Sequence, residues 1–154
     1  MFELGGHILD LVVGILGEPE GVTPYIRHSA PDKDSLQDNM LAVLQYPKAL
    51  ATVKSTAQEV DGGARRHLVV CGTNGTFHIQ PLDAPAVRLT LSKPAGNYKA
   101  GTHEIQFPKF VRYVADAEDM ACILRGEKES DFSPKHDLAV QRTLLKACQM
   151  PLDR

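Results

Sequence analysis

Residues 2–17 read Phe-Glu-Leu-Gly-Gly-His-Ile-Leu-Asp-Leu-Val-Val-Gly-Ile-Leu-Gly, from Phe2 to Gly17. Leu4, Ile8, Leu9, Leu11, Val12, Val13, Ile15 and Leu16 cover most of the circumference of a helix, and a helix that is apolar nearly all round is a buried one. Gly17 just past its end and Pro19 shortly after are the residues that stop a helix. Against this apolar ground the polar residues stand out. Glu3, His7 and Asp10 are spaced by four and then three, which places them on one narrow stripe that Gly14 continues by a turn.

Three readings of the stripe are open. It can face water, with Glu3 and Asp10 as favourable charges near a helix N-terminus. It can be an acid/base site, since an imidazole titrates near neutral pH and a carboxylate one turn away fixes its tautomer. It can also hold a metal through Glu3, His7 and Asp10, but that would need a further ligand, and no Cys-x-x-Cys or His-x-x-x-His supplies one.

The residues Glu-Leu-Gly-Gly-His-Ile-Leu-Asp, followed by an apolar run and Leu-Gly-Glu-Pro, resemble the helix that opens the catalytic face of the C-terminal domain in the glucose–fructose oxidoreductase and inositol dehydrogenase (Gfo/Idh/MocA) family. That motif runs Asp-x-Gly-x-His-x-x-Asp. Glu3 stands where the family more often has Asp, and Gly5, His7 and Asp10 match the remaining positions. The resemblance implies that Glu3, His7 and Asp10 are catalytic-site residues. It implies further that His7 lies beside a sugar or polyol substrate and takes part in proton transfer, while NAD or NADP is held by another domain. The glyceraldehyde-3-phosphate dehydrogenase C-terminal-domain-like fold is implied with it, as is pairing of subunits through an open sheet.

A chain of 154 residues suits one domain, and 1–154 reads as a single one, with no repeat, low-complexity tract or linker. A formal net charge of -2 offers no basic patch, and with no Trp and few aromatics a nucleic-acid surface is not indicated. Cys71, Cys122 and Cys148 are odd in number and widely spaced, which fits reduced thiols in a cytoplasmic protein, each a small buried hydrophobe. Ile8 to Leu16 is too short to cross a bilayer and lacks the flanks of an export signal, so Asn74-Gly75-Thr76 reads as turn chemistry and not as a glycosylation site.

After the helix, residues 22–29 read as a strand that Pro24 confines to an edge or a bulge. Residues 39–46 and 50–58 form a hairpin around Pro47-Lys48-Ala49, with Met40, Ala42, Leu44 and Tyr46 on one face of the first strand and Ala51, Val53, Ser55 and Ala57 on one face of the second. Residues 65–71 and 76–80 form another through Gly72-Thr73-Asn74-Gly75, where Asn-Gly supplies the positive φ of a tight turn. That Gly-x-x-Gly is no phosphate loop, because no helix follows it. The hairpin also resembles one in the same oxidoreductase domain. Residues 86–92 and 103–107 are further strands. A helix from Phe110 should bury Phe110, Val114, Ala117, Ala121 and Leu124 and pair Arg112 with Asp116 outside, ending at Gly126. Ser133-Pro134 starts a last helix through Leu138, Leu145 and Cys148.

The pattern is α+β: an open, mostly antiparallel sheet with helices on one face. Val43, Leu50 and Val69 would lie bare on the other, and a large apolar face marks an association surface, so a homo-oligomer is expected. No Gly-x-Gly-x-x-Gly unit is present, so no cofactor is expected to bind this chain. A chain that opens on its most apolar helix reads as the C-terminal part of an oxidoreductase whose cofactor domain lies elsewhere. The competing reading is a non-catalytic dimerisation or ligand-binding module that kept the fold.

Overall fold

A computed structural model describes residues 5–29, 32, 34–82, 86–108, 111 and 113–152. The elements are α1 (Gly5–Leu16), β1 (Gly21–Arg27), β2 (Asn39–Tyr46), β3 (Ala49–Thr56), α2 (Gly62–Arg65), β4 (Leu68–Gly72), β5 (Gly75–Ile79), β6 (Ala86–Leu91), β7 (Gly101–Gln106), α3 (Val114–Leu124) and α4 (Pro134–Ala147). Among the described residues every strand pair is antiparallel, and the fold is α+β. The strands form two sheets, one ordered β1-β2-β3 and one ordered β4-β5-β6-β7. The chain accordingly divides into two compact units, 1–59 with 128–154, and 60–127.

In the first unit β2 is the central strand, and its residues alternate as the sequence pattern demands. Met40, Ala42 and Leu44 are buried, and the ladder sets Ala42 between Pro24 and Val53, and Leu44 between Val22 and Ala51. Pro24 costs no ladder bond that matters, because β1 is an edge strand. On this inner face α1 and α4 lie down: Leu9 and Val12 of α1 and Leu144 and Ala147 of α4 form one core with Ala42, Leu44 and Val53. Gly17, at φ 81°, ends α1 by donating its N–H to the Val13 carbonyl at 2.8 Å. Tyr46 Oη then donates to the Gly17 carbonyl at 3.1 Å, and the burial that brings it there raises the phenol's pKa. α4 begins as its sequence predicts, with Ser133 Oγ accepting from the His136 N–H and Pro134 in the first turn.

The expected all-round burial of α1 is not observed: Gly5, Leu9, Val12 and Val13 are buried, but Leu11, Ile15 and Leu16 are more than 40 % exposed. The sheet and α4 reach only part of its circumference. On α4 the buried residues are Ala139, Thr143, Leu144 and Ala147, while Leu138 is exposed, because the face turned to the sheet is the one carrying small residues that let the helix approach.

The second unit is a four-stranded meander with α2 and α3. Its turn is displaced by one residue from the predicted position. Gly72 pairs with Gly75, so Thr73 and Asn74 are the two turn residues, and neither has a positive φ. Gly75 belongs to β5 and is needed there for another reason: a Cβ would sit 2.1 Å from the Thr90 carbonyl oxygen. Asn74 fastens the turn to the end of β6, its carbonyl accepting the Ser92 N–H at 2.8 Å. Residues 62–65, partly assigned to a strand by the sequence, form the short α2, entered through Asp61 in the left-handed region. Phe110 and Arg112 lie outside the described residues. No residue of α3 is buried, and Leu124, expected on its buried face, is 80 % exposed. Cys71 is also exposed, because it lies on the outer edge strand β4. Leu50, on the outer face of the first sheet, is 73 % exposed as predicted; Val69, on the second, is 46 % exposed, and Val43 is half-buried.

Candidate functional site

The polar stripe of α1 divides in two. Glu3 lies outside the described residues. His7 is exposed, and one helical turn and then another carry its face on to Leu11 and Ile15, also exposed. Asp10 turns the other way, toward α4, where its Oδ1 lies 2.7 Å from Nε2 of His136. An ionised carboxylate only accepts hydrogen bonds, so Nε2 carries the proton and donates it. The contact spans 126 positions of sequence and is partly buried: the side chain of His136 is 19 % exposed and that of Asp10 is 40 % exposed. Gly14, which continues the stripe, lies under the imidazole, and a Cβ there would make an ordinary contact of 3.9 Å with His136 Cε1. The Phe132 ring covers another side, its centroid 5.7 Å from that of His136.

The structure thus brings Asp10 to His136 and leaves His7 facing solvent one turn away. Sequence reasoning missed His136. Nothing in spacing marks a partner so far along the chain; the only available signal is a histidine three residues after a capping serine, at the start of a helix that must pack on α1.

A second tie fixes the far end of α1. Arg142 donates from Nε and Nη2 to the two carboxylate oxygens of Glu18, at 2.9 and 2.7 Å. The Arg142 hydrogen bond is the main reason that the Glu18 carboxyl titrates below its ordinary range, and Lys135 and Lys146 add to it.

Among the described residues no group of three His, Cys, Asp or Glu side chains is placed to hold an ion. The Rossmann mode of dinucleotide binding uses parallel strands joined through a helix whose N-terminus meets the pyrophosphate, and the described strand pairs are antiparallel. Among the described residues, no helix is long and apolar enough to cross a membrane.

Residues 1–78 match a family model described as the GFO/IDH/MocA C-terminal domain, and this span includes the whole α1 stripe and the first sheet. The chain belongs to the GFO/IDH/MocA family. Structures described as oxidoreductases share the fold of this GFO/IDH/MocA domain. One from Bacillus subtilis, yvaA, is 19 % identical with a TM-score of 0.72 over 96 % of this chain and 48 % of its own. One from Klebsiella pneumoniae is 18 % identical with a TM-score of 0.71 over 96 % and 46 %. A third, YPO2259 from Yersinia pestis, is 17 % identical with a TM-score of 0.66 over 99 % and 49 %. The chain therefore spans about half the length of these structures. No curated protein matches it.

Proposed function

We propose that the chain is the substrate-side domain of an NAD(P)-dependent oxidoreductase acting on a sugar or polyol, with the dinucleotide held by a domain outside this sequence. The observation that carries the reading is His7: an imidazole presented to solvent from a helix that is otherwise anchored by core packing, within the span that matches the family. A group that is to meet a substrate must be reachable, and its backbone must be fixed by something else. α1 meets both conditions. His7 then holds or moves a proton at a ring nitrogen beside the substrate, and NAD or NADP supplies the redox chemistry when bound elsewhere in the enzyme. The chain also pairs with a second copy through the outer face of its first sheet, which exposes Tyr25 and Leu50.

A second reading, a module that retains the fold without the chemistry, is favoured by one observation. Asp10, expected to serve the imidazole of His7, is occupied by α4.

The deciding experiment joins the chain to a dinucleotide-binding domain by fusion or co-expression and assays it with a panel of sugars and polyols. Turnover is expected from the joined protein, with no NAD or NADP binding by the 154-residue chain in calorimetry. His7→Ala should lower kcat by about 100- to 10,000-fold, the usual worth of a positioned proton-transfer group, and leave cofactor affinity unchanged. An unaltered rate would remove His7 from the reaction.

A further inference from the structure

We propose that Asp10 and His136 form a second proton-exchanging pair, in which His136 accepts a proton at Nδ1 from a hydroxyl-bearing small molecule while Asp10 holds the other ring nitrogen. Nε2 is committed to Asp10 at 2.7 Å. The proton it carries leaves the lone pair on Nδ1, so the nitrogen away from Asp10 is the basic one. Nδ1 has no protein partner among the described residues. Nor is it sealed in, because no buried side-chain nitrogen or oxygen among the described residues lacks a hydrogen-bond partner. The imidazole is therefore mostly covered, oriented by a carboxylate at one nitrogen and not fully sealed at the other. A base held by a third group is the arrangement that recurs where proton transfer is catalysed.

A purely mechanical role explains less. α1 and α4 are already joined by Leu9, Val12, Leu144 and Ala147 and by the two-pronged Glu18–Arg142 bridge. The comparable pair elsewhere is different in kind. His28 lies 3.1 Å from Asp34 Oδ1, and that same oxygen also accepts the Leu36 N–H at 2.8 Å, so it is shared. The Asp10 oxygen has no second described donor.

The step balances without any further reagent. The O–H bond of the ligand breaks, its electron pair stays on oxygen, an N–H bond forms at Nδ1, and the imidazolium is neutralised by the Asp10 carboxylate. The described side chains placed against the ring are the Asp10 carboxylate and the apolar ring of Phe132. The pair rests on the oxidoreductase reading only for the identity of the ligand, a sugar or polyol hydroxyl.

The test uses the intact chain first. Diethyl pyrocarbonate modifies unprotonated imidazole nitrogens, and mass spectrometry resolves the rate at each of the six histidines. His136 should react within about threefold of exposed His7, and Asp10→Asn, checked for native folding by amide NMR spectra, should slow it about tenfold. Protection of His136 by more than tenfold, or a rate indifferent to Asp10→Asn, overturns the proposal. His136→Gln supplies the second measurement, because its amide nitrogen can still donate to Asp10 while nothing remains to accept a proton. In the joined enzyme it should reduce kcat by about 100-fold with little change in KM. Wild-type turnover in His136→Gln also overturns the pair. If the joined wild-type protein has no activity, the oxidoreductase reading falls and the modification rates decide the pair by themselves.

Discussion

Unit 1, residues 1–59 with 128–154, closes its sheet with two helices, and its core side chains Leu9, Ala42, Leu44 and Ala147 are wholly removed from solvent. Unit 2, residues 60–127, has four strands to the other's three, yet Val87 and Leu91 are its only buried hydrophobic residues among those described. The difference lies in what the helices do. α1 and α4 each contribute buried side chains to the core on the first sheet, whereas α3 has no buried residue, and the cross-strand row Val70, Phe77, Leu89 and His103 of the second sheet is only half-buried. A sheet with few fully buried side chains leans more on its ladders and cross-strand pairs, such as Arg88–Glu104 and Thr90–Thr102. The candidate site is accordingly on the unit that can hold a side chain still.

The largest effect should therefore come from the first core. Leu44→Ala removes a fully buried side chain from the centre of β2 and should cost about 2–5 kcal/mol in urea unfolding. Leu124→Ala, an equal truncation on α3, should stay within about 0.5 kcal/mol. A cost above about 1 kcal/mol at Leu124 would mean that α3 is covered in solution, and the contrast between the units would be broken.

A smaller loss is expected where the second unit depends on backbone proximity. Gly75→Ala places a methyl against the Thr90 carbonyl, which belongs to the ladder and cannot swing aside, so β5 and β6 must part locally. The cost should be about 1–3 kcal/mol, and amide exchange should accelerate along β5 and β6 while β2 stays protected. Loss of protection in β2 as well would show the two units unfolding together.

How far the sequence led can be judged residue by residue. The rows of the first sheet were readable because one face is buried, which makes polarity alternate and pins the register: Met40, Ala42 and Leu44 point inward and pair as the pattern requires. Ser133-Pro134 and Gly17 were readable because caps act over three or four residues, within reach of a local rule. Three features lay beyond local rules. α3 has helical periodicity, but periodicity does not tell whether anything packs on it. Asn74-Gly75 was assigned the turn from its φ preference, whereas the glycine is required one position later by contact with Thr90 on another strand. Likewise Glu3, His7 and Asp10 share a stripe by spacing, yet what sits over each turn is decided by α4, and the partner of Asp10 came from residue 136.

The smallest predicted effect sharpens the account of how α1 is held. The Glu18–Arg142 bridge lies on the surface of unit 1, with side chains 35 % and 39 % exposed, so solvent and salt screen it, and the core should dominate the attachment of the helix. Its signature is a pH dependence. Arg142 depresses the Glu18 carboxyl below its ordinary value of 4.5. The folded protein therefore holds the charged form more firmly than the unfolded chain does, and the stabilisation is complete above that value and disappears as pH falls through the lower, folded pKa. Glu18→Gln removes the charge at every pH. The difference between the urea midpoints of wild type and Glu18→Gln should thus be constant above about pH 5.5 and shrink toward zero on acidification below 4.5, and should be smaller in 1 M salt than in 0.1 M. A difference that persists undiminished at pH 2 would show that Glu18 contributes through packing and not through its charge. The bridge would then belong with Leu9 and Leu144 as part of the core attachment.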